Sequence, residues 1–127
     1  MDRKIIKTHK APQAIGPYSQ AVKSGNFIFA SGQIPLDPVS GGMEENNIKK
    51  QTERVMENIK GLLESENLTL ANVIKTTCYL SDMSNFASFN EVYGSYFKDN
   101  PPARSTVGVK SLPKDALVEV EITAVIN

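Results

Sequence analysis

In PPARSTVGV, a segment stiffened at its entry by Pro101 and Pro102, Arg104 and Thr106 stand two residues apart. Strand side chains alternate between faces, so in an extended chain both point the same way. A guanidinium fork takes a carboxylate through two parallel charge-assisted hydrogen bonds, and a neighbouring hydroxyl adds another donor. The same arginine could instead pair across strands with Glu119 or Glu121 of VEVEITAV. Those two carboxylates share a strand face about 7 Å apart. They could divide acid and base roles, although an E-x-E pattern is more often a solvated strand face. Ser31-Gly32-Gln33 breaks an apolar strand with a glycine, which makes either a bulge or a place where a ligand or second backbone approaches closely. Tyr18 follows Gly16-Pro17 and either offers its hydroxyl from a stiff loop or buries a half-polar ring. Cys78 has no histidine near it in sequence to activate it and reads as an inert core thiol, and His9 reads as a surface residue.

The composition narrows the chemistry. Lys plus Arg and Asp plus Glu both number 14, so no long-range field favours phosphate backbones or anionic lipid, and a nucleic-acid partner is not expected. With one cysteine and one histidine the chain has no internal disulfide and no Cys/His zinc site, and its acidic residues are scattered, so no metal is expected. Gly-rich phosphate loops and the motifs CxxC, HExxH and GxSxG are missing. The start MDRKIIKTHK lacks the apolar stretch of a signal peptide, and no run approaches the roughly 18 apolar residues of a membrane helix, which predicts a cytoplasmic protein. At 127 residues, 40% of them hydrophobic, without repeats or a linker, one domain spanning 1–127 is the simplest division.

The elements that must carry these side chains follow from periodicity. Residues 5–9, 20–23 and 26–34 read as strands, with a tight turn at Ser24-Gly25-Asn26 and a surface loop from Pro35 to Glu45. Ile48, Val55, Met56, Ile59, Leu62 and Leu63 fall on one helical face, capped by Asn46 or Asn47. Residues 73–80 form a β-branched strand, and Ser84 or Asn85 can cap a second helix. Phe86, Phe89, Tyr93 and Phe97 make an aromatic stripe on that helix, read as plain core packing, until Pro101-Pro102 stops it. Residues 103–109 and 117–126 are the last strands. The order β-β-β-α-β-α-β-β predicts an α+β domain, one sheet with two helices on a single face. Apolar residues nevertheless occupy both faces of the strands: Phe27 and Phe29 oppose Ile28 and Ala30. Two helices cannot cover both faces, so a homo-oligomer whose subunits cover each other's sheets is expected, with ligand clefts at the interfaces.

AIGPYSQA, FASGQIP, QTERVMENIKGLLE, VIKTTCYLSDM, FNEVY, PPARSTV and LPKDALVEVEITAV, in this order along the whole chain, resemble the RidA family, formerly called YjgF. The resemblance implies a chorismate-mutase-like fold assembled as a homotrimer, with three ligand sites between subunits and no cofactor. It implies hydrolysis of 2-iminobutanoate and 2-iminopropanoate, products of pyridoxal-phosphate-dependent dehydratases, to 2-oxo acids and ammonia. Arg104 stands at the family's carboxylate-binding arginine and Glu119 at the carboxylate that positions water. Tyr18, Ser31, Gly32 and Asn90 match other positions lining the cleft. Where deaminase members often carry cysteine, this chain has Thr106, whose hydroxyl still donates but whose β-branch changes the shape. Two other roles belong to the same resemblance: endoribonuclease or translation inhibitor, and a non-enzymatic 2-oxo-acid sensor.

Overall fold

A computed structural model describes residues 2–127. Its strands are β1 (Arg3–Ile6), β2 (Ala21–Ser24), β3 (Phe27–Gln33), β4 (Val73–Leu80), β5 (Ala103–Gly108) and β6 (Val118–Val125), with helices α1 (Ile48–Glu64) and α2 (Phe86–Tyr96). The β-β-β-α-β-α-β-β order is the one the periodicities predict. Gly25, at φ 57, closes the β2–β3 hairpin in a conformation that costs glycine little. The first strand lies earlier than expected, at residues 3–6 rather than 5–9. Its continuation is captured by the buried Gln20: Thr8 N–H donates to Gln20 Oε1 at 2.7 Å, and Gln20 Nε2 donates to the carbonyls of Thr8, Ala11 and Pro12. A side chain has taken the backbone groups that a strand ladder would have used.

Helix α1 starts where Asn47 Oδ1 accepts from Lys50 N–H at 3.0 Å, and it buries Val55, Met56, Ile59, Leu62 and Leu63. The start of α2 differs from expectation. Asn85 holds the cap position without a side-chain bond, and Asp82 Oδ1 instead accepts from Ser84 N–H at 2.9 Å, closing a 3₁₀ turn that runs directly into the helix. The preceding turn thus supplies some of the bonding a cap would otherwise give.

The sheet order is β1-β2-β3-β6-β4-β5, antiparallel except for the parallel β4–β5 pair, whose crossover is α2. This is the single mixed sheet with two helices on one face. Ile28, Ala30, Thr76, Cys78, Leu80, Val118, Val120, Ile122 and Ala124 are buried beneath the helices. The other face is open in the single chain: Phe27 and Phe29, stacked at 6.2 Å, are 42% and 50% exposed. Burial of both faces therefore does not occur within one chain. Among the described residues, no helix is long and apolar enough to cross a membrane.

Two helical glycines should respond in opposite ways to alanine. A Cβ at Gly61 would lie 2.1 Å from the Lys10 carbonyl oxygen, whereas one at Gly94 would meet nothing within 4 Å. Gly61→Ala should destabilise by about 1–3 kcal/mol, since backbone must move, and Gly94→Ala should stabilise by about 0.5–1 kcal/mol through helix propensity. Chemical denaturation of both variants checks the signs.

Candidate functional site

The parallel register pairs Thr76 with Arg104 and Cys78 with Thr106. That register sets Arg104 and Thr106 on the helix side of β5, the edge strand, against α2. Phe86, Phe89, Asn90 and Tyr93 fall on the facing side of α2 at helical spacing. Arg104 Nη1 donates to Asn90 Oδ1 at 2.7 Å, and the guanidinium carbon lies 4.9 Å from the Tyr93 ring centroid and 5.6 Å from that of Phe86. Among the described residues Arg104 has no carboxylate partner. The cross-strand ion pair with Glu119 or Glu121 is thereby excluded within the chain, because β4 separates β5 from β6 and both glutamates point to the opposite face. Among the described residues Thr106 Oγ1 is buried with no nitrogen or oxygen partner in hydrogen-bond geometry, only the weak Cys78 thiol beside it, a cost a native protein ordinarily avoids. Cys78 lies beneath it, fully buried, and burial pushes its thiol pKa up, in keeping with an inert core residue.

A second cluster forms on the open face. Ser31 and Gly32 make a bulge in β3, where the register slips between Ala30 and Gln33 against β6. Ser31 Oγ donates to the Ser19 carbonyl at 2.6 Å, tying the bulge to the loop that carries Tyr18. The absent side chain of Gly32 makes room for Glu119: a Cβ there would lie 2.1 Å from Glu119 Oε2. Glu119, Tyr18, Ser31 and Gly32 line one cleft of about 460 Å³ with Ile15, Ile34 and Pro113. Tyr18 is half exposed rather than buried, and its hydroxyl accepts from the Ile15 N–H at 3.4 Å. The two glutamates part company here. Glu121 accepts from the Tyr79 hydroxyl, whose pKa is pushed up to about 12 chiefly by that bond. Among the described residues no side chain donates to the Glu119 carboxylate, and burial, helped by the nearby Glu121 charge, raises its carboxyl pKa.

The chain thus gathers Arg104, Thr106 and Asn90 in one place and Tyr18, Ser31, Gly32 and Glu119 in another, on opposite faces of the sheet. The aromatic bed under Arg104 and the cleft walls Ile15, Ile34 and Pro113 were not anticipated as site residues. Asn90, one polar residue set at helical spacing inside an aromatic stripe, was the available signal for the bed.

A single mixed sheet, a two-helix layer and an edge arginine held without a counter-ion define a two-layer α+β protein with a divided candidate anion site. The family described as "Endoribonuclease L-PSP" matches residues 8–126. A RutC family protein of Pyrococcus abyssi is 53% identical over 124 residues, covering 98% of both chains. RidA from the Antarctic bacterium Psychrobacter superposes with a TM-score of 0.93 at 43% identity, covering 97% of this chain and 99% of that one. Escherichia coli TdcF with bound serine superposes with a TM-score of 0.93 at 40% identity, covering 98% and 99%. The chain belongs to the RidA (YjgF) family.

The raised pKa of Glu119 has a consequence for stability. The folded chain holds this proton more tightly than the unfolded chain, so the contribution favours folding at low pH and is lost as pH rises from 4.5 through the folded pKa. Glu119→Gln removes the cost of burying the charge. The variant should melt higher than the parent near neutral pH, with the difference shrinking toward zero below about pH 4 in thermal melts across that range.

Proposed function

We propose that this chain hydrolyses reactive 2-imino acids, with 2-iminobutanoate and 2-iminopropanoate as representatives, to 2-oxo acids and ammonia. The sites lie between the subunits of a homotrimer. The observation that carries the reading is the Arg104 guanidinium, which has no carboxylate partner, beside the orphaned hydroxyl of Thr106. Both groups lack what a substrate carboxylate and its C2 nitrogen or oxygen would supply. The serine bound by E. coli TdcF is a small amino acid of matching type.

A substrate of three or four carbons cannot touch Arg104 and Glu119 of one chain, since they face opposite ways with β4 between their strands. A neighbouring copy that lays its Glu119 cleft against this β5 edge completes the site, and the same docking covers the exposed Phe27 and Phe29. Arg104 and Thr106 then fix the carboxylate, with Asn90 steadying the guanidinium, while Glu119 of the neighbouring copy aims a water at C2. Tyr18, Ser31 and Gly32 shape the wall behind that water. The iminium carbon is already electrophilic, so orientation supplies most of the acceleration. Water adds its oxygen to C2 and gives a proton to the Glu119 carboxylate. The carbinolamine nitrogen takes that proton back from Glu119, and ammonia leaves as the C2 hydroxyl passes its own proton to the Glu119 carboxylate and the C2 oxygen becomes a carbonyl, so that iminium and water end as 2-oxo acid and ammonium. Water is consumed and ammonia released with no change of oxidation state, which asks for no redox group. Pyridoxal-phosphate-dependent dehydratases release imines of this kind and would supply the substrate.

The endoribonuclease description of the family gives the competing reading, and the equal numbers of basic and acidic residues weigh against it. A coupled assay separates the possibilities: a threonine dehydratase generates the imine, and release of the 2-oxo acid is timed with and without this protein. Acceleration supports deamination. Binding of 2-oxobutanoate without acceleration points to a sensor, and salt-sensitive RNA binding to a nuclease. Arg104→Ala should lower kcat/KM by roughly 1.5 to 3.5 orders of magnitude, as expected for removing one partner of a desolvated charge pair.

The divided site gives a sharper test. Arg104→Ala and Glu119→Gln chains, each inactive alone, should recover about a quarter of parental activity when co-assembled at random, because half of each half-site is intact. No recovery in mixed oligomers would place both residues in one chain's site and overturn the arrangement.

A further inference from the structure

An arginine without a counter-ion needs something else to hold it. Among the described residues Arg104 makes one side-chain hydrogen bond, donating from Nη1 to Asn90 Oδ1. Its remaining support is aromatic: the guanidinium carbon lies 4.9 Å from the Tyr93 centroid, 5.6 Å from Phe86 and 6.0 Å from Phe89. Ring faces attract a cation at these distances without engaging its N–H donors, whereas a carboxylate would take up the same fork that a ligand needs.

The nearest ring is also the best anchored. The Tyr93 and Thr76 hydroxyls share a hydrogen bond of 2.8 Å, and both residues are buried. Thr76 is the residue directly opposite Arg104 in the β4–β5 register. Phe89 and Phe97 pack against Tyr93 with centroids at 5.4 and 4.9 Å, closing it in from both directions along α2. The ring cannot follow the guanidinium if it moves. We propose that Tyr93, locked through Thr76, is a positioning residue for Arg104, and that the aromatic stripe of α2 is a platform presenting an unneutralised guanidinium to a carboxylate. The stripe does more than fill the core. This inference rests on the carboxylate-binding reading of Arg104 and adds how its side chain is aimed.

Two measurements on intact protein test it. The first needs no ligand: in protein carrying ¹⁵N-arginine, the Arg104 Hε and Hδ resonances should be shifted upfield by the ring current of Tyr93. That shift should persist in Tyr93→Phe and collapse in Tyr93→Leu. The second is calorimetric titration with 2-oxobutanoate beside steady-state kinetics on the imine. Tyr93→Leu should raise Kd and KM by about 3–20-fold with kcat little changed, and Tyr93→Phe should restore most of the loss, the pattern of a lost cation–π contact that acts on binding alone. Should Tyr93→Leu not fold, Phe86→Leu at the half-exposed rim should give a smaller rise of the same kind. A folded Tyr93→Leu with unaltered Arg104 resonances and unaltered Kd would overturn the inference. If the parent neither accelerates imine hydrolysis nor binds 2-oxobutanoate, the imine reading fails, and the resonances still decide whether Tyr93 holds the guanidinium.

Discussion

Strand β4 is the constraint on which the arrangement depends. It is paired on both edges, antiparallel to β6 and parallel to β5, and its Thr76, Cys78 and Leu80 are fully buried under the helices. A parallel neighbour requires a long crossover, and α2 is that crossover, so the aromatic stripe is delivered to the strand that carries Arg104. The pleat then fixes which way each side chain goes. Arg104 and Thr106 follow Thr76 and Cys78 toward α2, while Glu119 follows Tyr79 to the other face. One register shift of β5 would exchange Arg104 for Ala103 or Ser105 over the aromatic bed.

This division accounts for features that would otherwise be liabilities. An edge strand with exposed Val107, a face with exposed Phe27 and Phe29 and a buried hydroxyl without a partner are each costly in an isolated chain. In the proposed arrangement, docking another copy against the β5 edge, with a small carboxylate between, would relieve them together. Its two glutamates illustrate how local environment assigns roles to identical side chains. Glu121 is held by the Tyr79 hydroxyl, while Glu119 lies over Gly32 at the mouth of the cleft, where burial weakens its acidity.

Much of the fold was legible. The 3.6-residue period of α1, the Asn47 cap, the hairpin at Gly25 and the bulge at Ser31-Gly32 are local signals with local causes, and each appears where the sequence places it. The miss at β1 came from a long-range hydrogen-bond hub, Gln20, which no window of neighbouring residues reveals. The reading of Phe86, Phe89 and Tyr93 as plain packing was incomplete because a helical period reports that a face is apolar and says nothing of what lies across it.

By itself the sequence determined the element order, the helical and strand faces, the alternation that puts Arg104 and Thr106 on one side, and the family. These depend on periodicities of a few residues and on motifs spread in order along the chain, both preserved in one dimension. Only the tertiary structure decided that β5 pairs with β4 rather than β6, which removes Glu119 and Glu121 as partners of Arg104 and leaves its charge open. Strand pairing is a contact between segments far apart in the chain, selected by the packing of the whole sheet against its helices. No local pattern around Arg104 encodes which strand will lie beside it.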